Sequence, residues 1–295
     1  MPALQTLRTF LSGIVDYAGL FPPAALSMAE AVKNYDAYLR GNDAWALGRF
    51  IVPIPRLDEF GQEVKLLLSG STVWKLSALA GPNTRFEMRQ VGSFNGRHIG
   101  KVVIDTIEVK AARIDDIRDA SAAVPASFQL FIEIPIQTDP AELIAEIGKH
   151  KRFAKVRTGG ITADAFPSSR NLARFVHACV KENVPFKATA GLHHPIRSVY
   201  NLTYKPDSEQ GKMYGYLNLF LAAAFARKGM SLDDTVTLLE EESLKAFTLD
   251  DKHISWRAHH LDEKELLDAR RNFAISFGSC SFREPMDDLK RIRLM

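Results

Sequence analysis

Apolar residues along this chain recur with two alternating periods. Short runs rich in β-branched and aromatic residues occur at 14–18, 49–54, 72–78, 101–109, 128–135, 153–158, 185–190 and 273–277. Each has the length and composition of a buried strand. Most are followed by a segment of helical period. In 141–148, for example, Leu143, Ile144 and Ile147 share one face while Glu142 and Glu146 point away. Helix starts are marked as well. Ser27-Met28-Ala29-Glu30 has the form of a capping box, and Ser231 stands ahead of Asp233 and Asp234.

A strand followed by a helix, repeated along the chain, requires a parallel sheet with right-handed crossovers. Eight such units predict an α/β fold closed into a (β/α)₈ TIM-type barrel, one domain over 1–295, with a doubly wound open sheet as the alternative. The irregularity is the stretch 192–272 between the seventh and eighth strands. It holds an apolar helix at 213–226, helices near 231–243 and 262–272, and a loop rich in His and Trp. An insertion of this size on the catalytic face is expected to serve as a lid or an oligomer interface. No further repeat, low-complexity tract or linker interrupts the pattern.

Composition narrows the partners. With 38 Lys and Arg against 35 Asp and Glu, the formal charge is only +3, without the basic excess that nucleic acid or a membrane surface demands. At 46% apolar and 25% charged, the chain can bury a large core, which excludes disorder as its main state. Cys179 and Cys280 are too few and too far apart for a disulfide framework, so a reducing, cytoplasmic setting is expected. Asp16 and Pro22-Pro23 interrupt any signal-peptide hydrophobic region. The longest apolar stretch, 213–226, contains Asn218 and falls short of the roughly 18–20 residues a bilayer span needs, so no membrane span is expected.

In a barrel the chemistry gathers at the C-terminal ends of the strands. Those ends carry Asp16 and Tyr17, Asp105 and Glu108, Glu133, Lys155 and Arg157, Lys187 and Thr189, and Ser279. Alternation puts Lys155 with Arg157 on one face, and Lys187 with Thr189 on one face. A charge inside an apolar strand needs a partner or a shifted pKa. One account is structural, with the lysines paired to Asp105 or Glu133. The other is catalytic: two neighbouring lysines depress each other's pKa and leave one neutral amine to attack a carbonyl as a Schiff base.

The segments Ile104-Asp105-Thr106-Ile107-Glu108, Phe131-Ile132-Glu133 with Thr138-Asp139, Lys155-Val156-Arg157-Thr158-Gly159 and Phe186-Lys187-Ala188-Thr189-Ala190-Gly191 resemble, in order, elements of the deoxyribose-phosphate aldolase family. The likeness covers residues 105–191. It implies a class I aldolase in which Lys155 is the Schiff-base nucleophile, Lys187 the cation that lowers its pKa, and Asp105 the proton-shuttling carboxylate. Two features differ: Arg157 stands where the family has a small hydroxyl residue, and Ala190-Gly191 is followed by Leu192-His193-His194. The runs Lys-Val-Arg-Thr-Gly-Gly, Lys-Ala-Thr-Ala-Gly-Leu-His-His-Pro and Ser-Phe-Gly-Ser-Cys-Ser-Phe are also similar to signatures of an uncharacterised bacterial family, which implies no activity.

An anion is the second theme. Thr158, Gly159 and Gly160 close the sixth strand, and Gly278-Ser279-Cys280-Ser281 closes the eighth ahead of a helix expected at 285–292. Such loops either bring backbone amides to a phosphate or carboxylate, aided by Arg157, or simply form turns. Asp16 is either a site carboxylate or a turn cap. His193-His194, His259-His260, Glu108, Glu133, Asp16 and Cys280 offer donors for a divalent cation. Adjacent histidines diverge, however, and no His-x-His or His-Glu-x-x-His occurs, so no metal or cofactor is expected. His193 and His194 are instead read as substrate-binding or proton-shuttling groups, and Cys280 as a small structural residue. The reading is an aldolase or lyase for a small anionic carbonyl compound, possible as a homo-oligomer. The alternatives are a metal-assisted lyase or isomerase and a non-catalytic anion-binding barrel.

Overall fold

All eight expected strands form, and all join one sheet. The computed structural model describes residues 4–68 and 72–295. Its strands are β1 (Val15–Tyr17), β2 (Leu47–Pro53), β3 (Trp74–Leu79), β4 (Val102–Lys110), β5 (Gln129–Glu133), β6 (Phe153–Arg157), β7 (Phe186–Thr189), β8 (Ser198–Asn201), β9 (Gln210–Met213), β10 (Phe247–Leu249), β11 (His253–Trp256), β12 (His259–Asp262) and β13 (Ala274–Ser279). The order β1-β13-β7-β6-β5-β4-β3-β2 closes on itself with every neighbour parallel. Because β1 pairs with both β13 and β2, the sheet has no free edge, and the open-sheet alternative falls.

The helices are α1 (Gln5–Leu11), α2 (Met28–Leu39), α3 (Leu57–Val64), α4 (Thr84–Arg97), α5 (Ile114–Ala123), α6 (Ala141–Lys149), α7 (Ser169–Lys181), α8 (Tyr216–Arg227), α9 (Leu232–Leu239), α10 (Glu263–Asn272) and α11 (Arg283–Arg291). Ser27 caps α2 in a reciprocal capping box with Glu30, and Ser231 caps α9 through the Asp234 amide. In α6, Ile144 and Ile147 are buried as the period requires. Glu146 departs from expectation: it is covered, by Arg118 at 2.7 Å and Lys149 at 3.0 Å rather than by the core.

Strand alternation separates two environments. Tyr17 and Phe50 point outward into an aromatic layer with Tyr35, Phe60 and Trp74, their ring centroids 5.0–6.3 Å apart. Truncating such a buried ring to Ala typically costs about 3–5 kcal/mol. Asp16, between Val15 and Tyr17, is thereby turned into the barrel.

The stretch between β7 and β13 is more structured than its sequence suggested. α8 is buried from Tyr216 through Ala226, as a helix apolar on all sides must be. Residues read as a His- and Trp-rich loop form the antiparallel sheet β10-β11-β12, in which Ile254 and Trp256 turn inward while His253 and Ser255 alternate away. This sheet is anchored to α1, where Gln5 N donates to Asp251 Oδ1 (3.0 Å), and to the C-terminal end of α8, where Phe225 packs on His259 (5.6 Å). α1 leads into the N-terminal end of β1, so this part of the insertion lies away from the mouth. Of the whole stretch, the 190–197 segment and the β8-β9 hairpin are the parts that follow directly from the C-terminal end of β7. Among the described residues, no helix is long and apolar enough to cross a membrane.

Candidate active site

Three consecutive strands set the site. Glu133 on β5 is in register with Lys155 on β6, and Lys155 with Lys187 on β7. Neighbouring strands lie about 4.8 Å apart, so these side chains stand shoulder to shoulder inside the barrel. Arg157 and Thr189 form the next inward rung toward the mouth.

The charges alternate across the interior. Lys187 Nζ lies 2.6 Å from Asp16 Oδ2 and 2.7 Å from Glu108 Oε1. Lys155 Nζ lies 2.8 Å from Glu108 Oε2 and 2.8 Å from Glu133 Oε2, and Arg157 Nε is 3.5 Å from Glu133 Oε1. Hydroxyls finish the inner end: Ser77 Oγ donates to Glu108 Oε1 (2.6 Å) and Ser276 Oγ to Asp16 Oδ2 (2.7 Å), while the Arg49 amide donates to Asp16 Oδ1 (2.8 Å). Lys187 also faces the Phe131 ring at 5.4 Å. Asp16 is therefore an internal ion-pair partner and not a turn cap. Because the two lysines are separated by the shared Glu108, neither meets the other as a bare cation.

That separation reverses the expected pKa. Burial alone pulls the Lys155 ammonium down, but Glu108 and Glu133 outweigh it and hold the pKa above the ordinary lysine value. Burial pushes Glu108 up, but Lys155 and then Lys187 hold it far below the usual carboxylate range. Glu133 is lowered in the same way, against its burial, by Lys155 and, more weakly, Arg157 and Lys110. Lys155 thus stands between two carboxylates that hold its pKa up, in place of the expected depression by Lys187.

Asp105 belongs to a different system. It pairs with Arg49 (2.6 Å), which also reaches Gln129 at the start of β5. A bulge in β4 separates it from Glu108: Leu76 and Ser77 of β3 are opposite Ile104 and Thr106, leaving Asp105 as the extra residue. The structure therefore keeps Asp105 apart from the lysines and puts Glu108 between them.

The Thr158–Gly160 turn is closed by packing. Thr158 donates its amide to Thr189 O (2.9 Å) and its hydroxyl to Ala190 O (2.5 Å), so neither is free for an anion. A Cβ at Gly159 would meet the Phe166 ring at 2.4 Å, and one at Gly160 the Ala165 Cβ at 2.7 Å. The glycines there allow two turns to approach. Ser279 is buried, accepts the Ser281 amide through Oγ (3.4 Å), and accepts the Ala18 amide through its carbonyl (2.7 Å).

His193 and His194 form a separate rim cluster. His193 Nδ1 lies 2.9 Å from Glu284 Oε2 and His194 Nδ1 2.5 Å from Asp288 Oδ2, with the His194 ring stacked on Tyr200 at 3.5 Å. Tyr204 Oη donates to Glu284 (3.0 Å) and approaches Cys280 Sγ (3.5 Å). Burial raises the Cys280 pKa, which fits a structural thiol. The histidines tie the segment after β7 to α11 and do not join Glu108 or Glu133. Among the described residues, no group of three or more His, Cys, Asp or Glu side chains is arranged to hold a metal ion.

A cleft of about 870 Å³ opens over β3 and β4, with Glu108 and Lys155 in its floor and Arg85, Phe86, Arg89 and Lys110 in its wall. These wall residues escaped the sequence reading because they lie on a helix and at a strand tip with no motif. Ser77 and Ser276 were legible in principle, as lone hydroxyls at inward parity in apolar strands. No protein-family model matches the chain, and no curated protein matches it significantly.

Proposed function

We propose that the barrel is an enzyme for a small anionic carbonyl compound, a class I aldolase or lyase whose imine forms on Lys155. The observation that carries this reading is the position of Lys155: its Nζ stands between two carboxylates, 2.8 Å from each, in the floor of the large cleft. Glu108 is locked ionised by a second ammonium, so Glu133 is the carboxylate suited to exchange protons. Lys155 passes a proton to Glu133, and the neutral amine attacks the carbonyl carbon. The carbonyl oxygen leaves as water, the resulting iminium keeps one N–H, and Glu133 returns to its carboxylate form. The iminium then draws the electrons of the adjacent carbon–carbon bond, as Glu133 takes the proton of the β-hydroxyl and an aldehyde departs. The enamine is reprotonated at carbon, and water releases Lys155. In this reading Lys187 acts from behind by keeping Glu108 charged, and Asp105 has no part in the chemistry.

The test is reductive trapping. Incubation with small aldehydes and keto acids, followed by borohydride, is expected to fix an adduct on Lys155 that Lys155→Ala abolishes. Adducts spread over surface lysines, unaffected by Lys155→Ala, would exclude the imine. A second reading, a barrel that binds a small anion without turning it over, is favoured by the two carboxylates 2.8 Å from Lys155 Nζ, which stabilise its charged form, since an ammonium attracts anions and does not attack carbonyls. Saturable anion binding without any Lys155 adduct would select it.

A further inference from the structure

One wall of the cleft is lined by cations. Arg85 and Arg89 on α4 and Lys110 at the end of β4 line the same cavity as Lys155. Among the described residues, Arg85 and Arg89 have no carboxylate within ion-pair distance, while Lys110 stands beside Glu133 and acts on its charge. Of the acids in the opposite wall, Asp116 is taken by Arg113 (2.9 Å), which leaves Asp119. Among the described residues, Arg85 and Arg89, with Lys110 whose charge is partly met by Glu133, outweigh Asp119 and leave this wall net positive.

We propose that this β3–α4 wall is the substrate's anion subsite and that it takes a dianionic group, either a phosphate monoester or a dicarboxylate end, while the carbonyl reaches Lys155. The inference rests on the imine reading above, but its binding step is separable from it. Arg85 and Arg89 are four residues apart on α4, so two like charges are neighbours on the helix surface and repel each other. A dianion between them removes that repulsion, and two guanidinium forks match its oxygens. The volume of about 870 Å³ is ample for a small ligand spanning the wall and the floor. By contrast, in the turn after β6 the Thr158 amide and hydroxyl are already engaged by the carbonyls of Thr189 and Ala190.

Isothermal titration of the full chain tests the subsite with glycerol 3-phosphate, malonate and the monoanion glycerate. Saturable binding of at least one dianion is expected, with glycerate weaker by about tenfold or more, and with R85Q/R89Q losing about tenfold or more while its unfolding midpoint stays unchanged. Which dianion binds tighter identifies the source. No saturable dianion binding, equal binding by R85Q/R89Q, or glycerate binding as tightly would overturn the subsite. Borohydride trapping with glycolaldehyde and glycolaldehyde phosphate separates the two claims. A Lys155 adduct from both, with no advantage for the phosphate that R85Q/R89Q removes, sinks the subsite alone. Dianion binding without a Lys155 adduct from either sinks the imine alone.

Discussion

Asp105 and Glu108 lie three residues apart on β4, and both turn into the barrel. Regular alternation forbids this, because odd and even offsets face opposite sides. The bulge at Asp105 resets the parity, so Asp105 pairs with Arg49 at 2.6 Å while Glu108 pairs with Lys155 at 2.8 Å. One strand thereby serves two separate ion-pair systems.

The separation makes the two carboxylates experimentally distinct. Asp105→Asn is expected to leave borohydride trapping at Lys155 within about twofold of wild type, while costing about 1–3 kcal/mol of stability through the lost charged bond to Arg49. Glu133→Gln is expected to slow trapping about tenfold or more at neutral pH, the usual scale for removing a general acid–base group being about a hundredfold. The same variant should move the trapping profile to lower pH, since a carboxylate that raises the Lys155 pKa is gone while burial still lowers it. Trapping rates across pH, with urea unfolding in parallel, check both.

Lys187 is fully enclosed, with Asp16 and Glu108 as partners and the Phe131 ring beneath it. Lys187→Met strands the Asp16 charge and should cost about 3–5 kcal/mol in urea unfolding. Asp16→Asn in the same chain should recover part of that loss, giving a favourable coupling energy in a double-mutant cycle. Additive losses would show that the pair is not coupled.

Stability should hold between two pH limits. The lowered pKa of Glu108 and Glu133 means that their contribution is fully present above the ordinary glutamate value of 4.5 and is lost as pH falls through their folded values. The raised pKa of Lys155 has the opposite sign: its contribution is fully present below 10.5 and is lost as pH rises through its folded value. Urea midpoints measured from acid to alkaline pH should decline at both ends, and Lys155→Met should weaken both limbs.

Gly191 has φ +72°, and a Cβ there would meet the Gly159 backbone at 2.9 Å. Gly191→Ala combines left-handed strain with overpacking and is expected to cost about 1–3 kcal/mol. Thermal unfolding measures the loss, and Gly92→Ala, at a helical glycine with open space around it, is expected to be neutral or slightly stabilising.

The alternation of strand and helix was fully legible in the sequence, because burying one face of each element imposes a period of 2 or 3.6 on neighbouring residues. It located all eight barrel strands, the caps at Ser27 and Ser231, and the inward parity that puts Lys155 beside Lys187. What it left open depends on partners distant in the chain. Whether two lysines repel or share a carboxylate was decided by the one-residue bulge at Asp105, which no local pattern marks and which turns Glu108 inward between them. The sign of the Lys155 pKa followed from that contact, since the same burial lowers a lysine standing alone and is outweighed beside Glu108 and Glu133. Likewise, only the folded sheet, which lays β4 and β6 on either side of β5, brings Arg85, Arg89 and Lys110 around the cleft that holds Lys155. Charge on separate elements has no sequence period, and its meaning is set by the distances that folding imposes.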